Sequence, residues 1–413
     1  MKLNCDINLP ASKSESNRAL MIAAYGGFAP DFQNLSDSND TLVISNALQK
    51  IQQNNTVIDI ANCGTAARFL TTYLACHEGR WLLSGTERMK QRPIKPLVDA
   101  LLGLGADIQY VEKQYFLPLQ IQGKPIQGGK IGVDMSQSSQ FVSSLLLAAP
   151  MLHEGLELEL LGEINSLPYL EMTLIMMRHF GAKVEREGRI IIVKAKPYQP
   201  ASFALTSDWS AASYWYEMAA LSEECEIRLH GLNDSSMFST SVSGSVSLQG
   251  DSIISKWMNL LGVKTMSDGN TIVLTKISME KRSLSFDFSN TPDLFSMVAA
   301  TCAGLNIEAH FTGVANLRIK ESDRVEAMKT ELQKIGVVLK YVSENELVLI
   351  PSHNLSHFKD SNPICFSAHD DHRVVMALAP LSLLVCSLTF DHPEVVEKSY
   401  PKFWKDASFL PVV

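Results

Sequence analysis

Nine residues late in the chain, Asn316-Leu-Arg318-Ile-Lys320-Glu321-Ser-Asp323-Arg324, gather three cations and two carboxylates. Such density suits anionic ligands. With a helix starting near Ser322, Asn316, Arg318, Lys320 and Glu321 stand on the loop before it and Arg324 in its first turn, where backbone N–H groups attract phosphate or carboxylate. Lys320 beside Glu321 could divide charge stabilisation from proton transfer. A solvated helix start of alternating charge accounts for the same residues, so the other clusters must decide.

Leu9-Pro-Ala-Ser-Lys13-Ser14-Glu-Ser16-Asn17-Arg18 is the first of these. Pro10 ends a strand, the serines cap a helix, and Lys13 with Arg18 bring two cations to its N-terminal end. Capping explains the serines but not the paired cations, and the spacing is not that of a P-loop. In Asn62-Cys-Gly64-Thr65-Ala-Ala-Arg68, Gly64 lets a ligand approach the backbone closely, although a tight turn needs the same residue. Glu87-Arg88-Met-Lys90-Gln-Arg92-Pro93 sets three cations before a proline. Arginine is the side chain best suited to carboxylate or phosphate, while a solvated turn remains the plainer alternative. Ser136, Ser138, Ser139 and Gln140 at one helix start, with Ser166 and Tyr169 on the following loop, suit a polyhydroxylated ligand. Asp293 follows Thr291-Pro292 at a helix entry, where N-capping alone is a sufficient explanation. His369-Asp370-Asp371-His372-Arg373 invites a metal reading, but residues in direct succession do not share a helix face, and no metal is expected. Lys398, before Pro401, carries no meaning by itself.

Six helical segments rich in small apolar residues begin near Ser16, Gly64, Ser138, Trp209, Pro292 and Asp370, each opening with polar or small residues, spaced at roughly 50 to 80 residues as a repeated unit would be. Each is followed by a strand and then an amphipathic helix. Four of those stop at an apolar-Gly-apolar signal (Gly105, Gly181, Gly262, Gly336), and the runs Asp107 to Val111, Lys183 to Glu187, Thr271 to Lys276 and Val338 to Val342 read as strands. The unit is strand, helix, strand, helix, strands. The first copy is short, with room for only one strand, Thr56 to Ile60, between Gln53 and Asn62. Six units divide as three plus three, an α/β chain of two lobes with a cleft between them.

The chain has 413 residues, 46% hydrophobic and 19% charged, enough for two domains with sizeable cores. A net charge of −8 argues against a protein that coats nucleic acid. The seven cysteines, Cys5, Cys63, Cys76, Cys225, Cys302, Cys365 and Cys386, contain no C-x-x-C pair and fit reduced thiols of a cytoplasmic protein. The N-terminus alternates like a strand and reads as mature protein. The uncharged run from Val374 to Phe390 is short for a membrane span and is broken by Pro380, so no membrane role is expected.

Together the clusters resemble the 5-enolpyruvylshikimate-3-phosphate synthase family of enolpyruvyl transferases over almost the whole chain. LPASKSESNRA is similar to the family's LPGSKSxSNRA, NCGTAARFL to NAGTAxRxL and ERMKQRPIKPLVDAL to RMxxRPxxxLxxAL, and SSQF, SLPY, NLRIKESDR, DDHR and EKSYPKF follow in the family's order. The resemblance implies two lobes, each of three units with helices inside and strands outside and the active site in the interlobe cleft. Residues 12–205 would form the N-terminal lobe, and residues 1–11 with 206–413 the C-terminal one. It implies transfer of the enolpyruvyl group of phosphoenolpyruvate to the 5-hydroxyl of shikimate 3-phosphate in aromatic amino acid biosynthesis, through a tetrahedral intermediate. Phosphate leaves, no cofactor or metal takes part, and a monomer is expected to suffice.

Carried residue by residue, Lys13, Ser14, Arg18, Ser138, Ser139, Gln140, Ser166, Tyr169, Asp293, Asn316 and Lys320 would hold shikimate 3-phosphate. Lys13, Gly64, Arg92, Gln140, Arg324, Arg373 and Lys398 would hold phosphoenolpyruvate. Asp293 would accept the hydroxyl proton and Glu321 protonate the methylene carbon, with Lys13 and Lys398 assisting. Gly64 implies sensitivity to glyphosate. Departures from the family pattern are the short first unit, which leaves the rim near Asp40 in doubt, and Ala11, Glu15, Cys63 and Phe69. A UDP-N-acetylglucosamine enolpyruvyl transferase shares the fold and the donor but not the opening motif. A non-catalytic relative would have lost Asp293 or Glu321.

Overall fold

The computed structural model describes residues 1–232, 247–279, 283–352, 355–358, 362–385 and 387–412. Cys386 lies outside the described residues. Two compact units emerge: Lys13–Leu205, and Met1–Ser12 together with Thr206–Val413.

After strand β1 (Lys2–Asn8) the chain enters the first unit with α1 (Lys13–Gly26), β2 (Phe32–Gln33) and α2 (Asn39–Gln52). Two full repeats follow. One runs β3 (Val57–Asp59), α3 (Gly64–Cys76), β4 (Gly79–Ser84), α4 (Lys95–Gly103), β5 (Asp107–Tyr110), β6 (Leu119–Gly123). The next runs β7 (Gly129–Asp134), α5 (Ser139–Ala148), β8 (Leu156–Leu161), α6 (Leu167–His179), β9 (Val184–Glu187), β10 (Ile190–Val193). β11 (Phe203–Ala204) returns to pair with β2.

The other unit holds α7 (Trp209–Leu221), β12 (Glu224–His230), α8 (Ile254–Leu260), β13 (Val263–Asp268) and β14 (Thr271–Lys276), whose sheet is completed by β1. Then come β15 (Ser283–Asp287), α9 (Phe295–Gly304), β16 (Glu308–Thr312), α10 (Arg324–Gln333), β17 (Val338–Ser343) and β18 (Glu346–Ile350). Last are β19 (Ile364–Phe366), α11 (His372–Leu378), β20 (Leu388–Phe390) and α12 (Phe403–Asp406).

Four sheets share one strand order: β3-β4-β6-β5, β7-β8-β10-β9, β1-β12-β14-β13 and β15-β16-β18-β17. The first two strands of each are parallel: a helix crosses between them in three of the sheets, whereas the whole first unit lies between β1 and β12 in sequence. The last two form an antiparallel hairpin, which needs only a tight turn. The repeat signals account for this order: Gly105, Gly181, Gly262 and Gly336 take φ of 89°, 85°, 85° and 77°, the left-handed stop that sends the chain from helix into hairpin. Before Thr271–Lys276 the structure adds a strand, β13, that the sequence reading passed over. The first repeat is reduced to β2 and β11, and the sixth likewise has a two-stranded sheet, β19-β20. There a 3-10 turn that opens at Pro393, Pro393–Lys398, follows β20 at the place where the full copies have their second helix, and no hairpin comes after it among the described residues.

Helices α1, α3 and α5 pack on one another in the first unit, as do α7, α9 and α11 in the second. Their small apolar composition is what lets them be buried on all sides. Every residue of α9 from Phe295 to Ala303 is buried, and α7 is buried along almost its whole length. Phe295 meets Phe288 edge-to-face with centroids 5.4 Å apart, and such a pair adds about 0.5–1.5 kcal/mol beyond area burial. This anchors the turn that carries Asp293. No helix among the described residues is long and apolar enough to cross a membrane.

Candidate active site

The first unit collects its polar residues at the starts of α1, α3 and α5 and around the short turn Met89–Gln91. α1 begins at Lys13 itself, three residues before the sequence signal. Lys13 Nζ pairs with Asp40 Oδ2 at 3.1 Å, with both side chains largely buried. Asp40 stands at the start of α2, where its backbone carbonyl also accepts from Cys63 Sγ at 3.7 Å. Cys63 in turn caps α3 by accepting from Ala66 N. Lys13 and the Cys63-Gly64 turn are thus fastened to one residue that the sequence left in doubt. A hydroxyl chain, Ser36 to Ser38 to Thr41 to Asn17, secures α2 against α1.

Arg18 lies buried beneath this surface. Its Nε donates to Thr173 Oγ1 (2.7 Å), Nη1 to the Ser14 carbonyl (2.9 Å) and Nη2 to the Tyr169 carbonyl (3.2 Å). Burial brings its pKa down to about 10. With three of a guanidinium's five N–H groups so engaged, Arg18 ties Ser14 to Tyr169. Glu15, one of the departures from the family pattern, is fully buried.

An added Cβ on Gly64 would lie 2.6 Å from Arg92 Nη1 and 3.1 Å from Arg68 Nη1. The glycine therefore makes room for two guanidiniums. Arg68, which the sequence reading did not nominate, donates to the Gly64 and Pro93 carbonyls. Gln140 Nε2 reaches Thr65 Oγ1 at 3.1 Å, joining the start of α5 to that of α3, while Ser138 caps α5 and Ser139 is buried beside it. Ser166, at φ 57°, precedes α6, and its loop is held to Ser136 through Asn165 Nδ2 and Glu163 N.

In the second unit the cations and carboxylates interlock. Asp323 caps α10, so that helix begins at Arg324 and not at Ser322, and residues Ala315–Ile319 form a 3-10 turn. Arg324, 1% exposed, donates from Nη1 to Asp293 Oδ1 (2.9 Å), from Nη2 to Glu321 Oε2 (2.7 Å) and from Nε to Asp371 Oδ2 (2.8 Å). Arg373 Nη2 meets the other Asp293 oxygen at 2.7 Å. Burial works against an ionised Asp293, but Arg373, Arg324 and Lys320 outweigh it and hold the carboxyl well below the usual carboxylate range. Asp371 caps α11 through Arg373 N and accepts from Ser322 Oγ. Among the described residues no group of three or more His, Cys, Asp or Glu is arranged to hold a metal ion.

Asn316 and Lys320 lie on or beside the turn packed against α10, and Lys398 ends the 3-10 turn packed against α11. Ser210 is a further member: its Oγ accepts from Arg373 Nη2 and donates to Asp251. Asp251 and Ser210 were absent from the sequence reading because neither stands in a cation-rich run. The first unit therefore offers cations and hydroxyls, and the second pairs buried arginines with carboxylates able to take up or give up protons.

Residues 31–407 match the EPSP synthase family, described as 3-phosphoshikimate 1-carboxyvinyltransferase. A 3-phosphoshikimate 1-carboxyvinyltransferase of Bacteroides fragilis is 42% identical over 98% of this chain and 95% of its own length. One from Haemophilus influenzae is 33% identical over 97% and 95%. An EPSP synthase structure from Acinetobacter baumannii superposes with a TM-score of 0.70 over 99% of this chain and 96% of that one, at 20% identity, and shares the fold.

Proposed function

The chain belongs to the EPSP synthase family, and we propose that it transfers the enolpyruvyl group of phosphoenolpyruvate to the 5-hydroxyl of shikimate 3-phosphate, releasing phosphate. The observation that carries the reading is the joining of Asp293, Glu321, Arg324 and Arg373 in one ion-pair cluster. Two carboxylates and two guanidiniums supply an acid, a base and an anion site.

In this reading Lys13, Ser14, Arg18, Ser138, Ser139, Gln140, Ser166, Tyr169, Asn316 and Lys320 serve shikimate 3-phosphate. Lys13, Gly64, Arg92, Gln140, Arg324, Arg373 and Lys398 serve phosphoenolpyruvate. Arg18 acts from beneath, by fixing Ser14 and Tyr169. Glu321 gives its proton to the methylene carbon of phosphoenolpyruvate. The 5-hydroxyl oxygen attacks the resulting cation-like carbon while Asp293 takes the hydroxyl proton, giving a tetrahedral ketal. As the C–O bond to phosphate breaks, Glu321, ionised by its first transfer, takes a proton back from the new methyl group, and the proton held by Asp293 leaves with the phosphate, restoring the enol ether. Lys13 and Lys398 assist the proton movements.

Both oxygens of Asp293 accept from arginines, and a carboxylate so held is a weak base. The carboxylate of phosphoenolpyruvate competes for the same guanidiniums. Its binding loosens their hold and raises the basicity of Asp293 when the second substrate needs it. The six described cysteines are free, in keeping with the reducing cytoplasm expected of this protein. The test is phosphate release by the purified protein with both substrates and with each alone. Release that needs both supports the reading, and tight binding of shikimate 3-phosphate without release would point to a non-catalytic relative.

A further inference from the structure

The turn Gln249-Gly250-Asp251 makes more contacts with the start of α7 than its sequence announces. Gln249 Oε1 accepts from Trp209 N at 2.8 Å, and its Nε2 donates to Thr206 Oγ1 (2.9 Å) and the Ser207 carbonyl (2.8 Å). Both Gln249 and Asp251 are buried. Asp208 caps the same helix by accepting from Ser210 N and Ala211 N, which fixes the Ser210 backbone. Ser210 Oγ then donates to Asp251 Oδ2 and accepts from Arg373 Nη2 at 3.4 Å. Arg373 ends this chain on Asp293 at 2.7 Å.

We propose that Asp251 is a positioning residue for phosphoenolpyruvate: acting through the Ser210 hydroxyl, it holds the Arg373 guanidinium in the orientation that receives the ligand's anionic group. This inference rests on the enolpyruvyl-transfer reading, which makes Arg373 a donor to phosphoenolpyruvate. A hydroxyl has one proton. Donated to Asp251, it leaves the oxygen lone pairs turned toward Arg373, so the carboxylate fixes the polarity of the bridge. When an incoming anion draws Arg373 away from Asp293, the bridge to Ser210 still holds the guanidinium. The groups facing Asp251 include Asp293, Arg373, Ser210 and Asp208. Burial and then the Asp293 charge raise its carboxyl to about 7, so it supplies the full bridge above neutrality and a weakened one below.

The test compares the parent, Asp251→Asn, Ser210→Ala and the double variant by steady-state phosphate release, varying each substrate in turn from pH 6 to 9. In Asp251→Asn the KM for phosphoenolpyruvate should rise about tenfold, the effect of one weakened charge-assisted contact, while the KM for shikimate 3-phosphate stays within about twofold. Ser210→Ala should do the same, and the double variant should be no worse than either single one, as expected of residues acting in series. The rise in KM for phosphoenolpyruvate as pH falls through about 7 should be weaker in Asp251→Asn than in the parent. Unchanged KM values, additive effects in the double variant, or equal losses for both substrates that follow a fall in melting temperature would overturn the proposal. If Asp251→Asn does not fold, Ser210→Ala, which removes one hydroxyl, decides alone by its substrate selectivity. A parent protein that releases no phosphate would overturn the reading and this inference together, whereas an active parent with unaltered variants overturns only the inference.

Discussion

Arg324 Nη1 donates to Asp293 Oδ1 at 2.9 Å, so the proposed proton acceptor is gripped by a proposed ligand of the substrate's anion. The guanidinium is 1% exposed and serves Glu321 and Asp371 as well. Its desolvation is tolerable only because carboxylates surround it, and each has a geometric reason to be there. Glu321 precedes the cap of α10, Asp371 caps α11, and Asp293 opens the turn into α9.

Replacing Arg324 with lysine keeps the charge but cannot satisfy three carboxylates at once. Losing two of the charged hydrogen bonds, at about 1.5–3 kcal/mol each, corresponds to roughly 10²–10⁴-fold in kcat/KM for phosphoenolpyruvate. Arg324→Ala leaves buried carboxylates without their cation and should cost about 3–5 kcal/mol in urea unfolding. A lysine variant with parental kinetics would remove Arg324 from the anion site.

Gly64→Ala places a methyl group 2.6 Å from Arg92 Nη1, closer than atoms approach without displacement. Arg92 must swing away. The expected result is a higher KM for phosphoenolpyruvate, a raised inhibition constant for glyphosate and little change in the KM for shikimate 3-phosphate. A glyphosate inhibition constant equal to the parent's would refute the steric account.

Asp40 pairs with Lys13 and holds it in place at the head of α1. Asp40→Asn removes the ion pair, and kcat should fall about tenfold or more, the equivalent of one charged hydrogen bond. Asp40→Glu should recover part of the loss. Full activity in Asp40→Asn would mean that Lys13 needs no such partner.

Glu331 gives an acid-stability prediction. It accepts from Lys334 Nζ (2.6 Å), His369 Nε2 (2.9 Å) and Ser367 N (3.0 Å), bracing the left-handed His369-Asp370 corner that leads into α11. Burial opposes its charge, but the His369, Lys334 and Ser367 bonds prevail and lower its pKa below the ordinary 4.5. A depressed carboxylate contributes stability that is complete above the ordinary value and fades as pH falls through the lowered one. Melting temperatures measured from pH 7 down to pH 3 should therefore fall less steeply in Glu331→Gln than in the parent. Parallel curves would contradict this.

The repeat was readable because helix stops and strand alternation are local signals, and Gly105, Gly181, Gly262 and Gly336 each carry one. The cation-rich motifs were readable for the same reason. What the sequence could not reveal were contacts made across long separations by ordinary residues. Asp40 belongs to a helix start 27 residues beyond Lys13, and Asp251 reaches Ser210 from a turn 41 residues away. Helix starts differ from the sequence signals by two or three residues at Arg324 and Lys13; at α10 the cap is Asp323, where Ser322 competes for the same role in the sequence.

The most direct test of the account is the affinity of Asp293→Asn for phosphoenolpyruvate in the presence of saturating shikimate 3-phosphate, measured by calorimetry beside phosphate release. Asparagine no longer competes as an anion for Arg324 and Arg373. Binding at least as tight as in the parent is expected, with phosphate release lost. Weakened binding, or release at the parental rate, would contradict it.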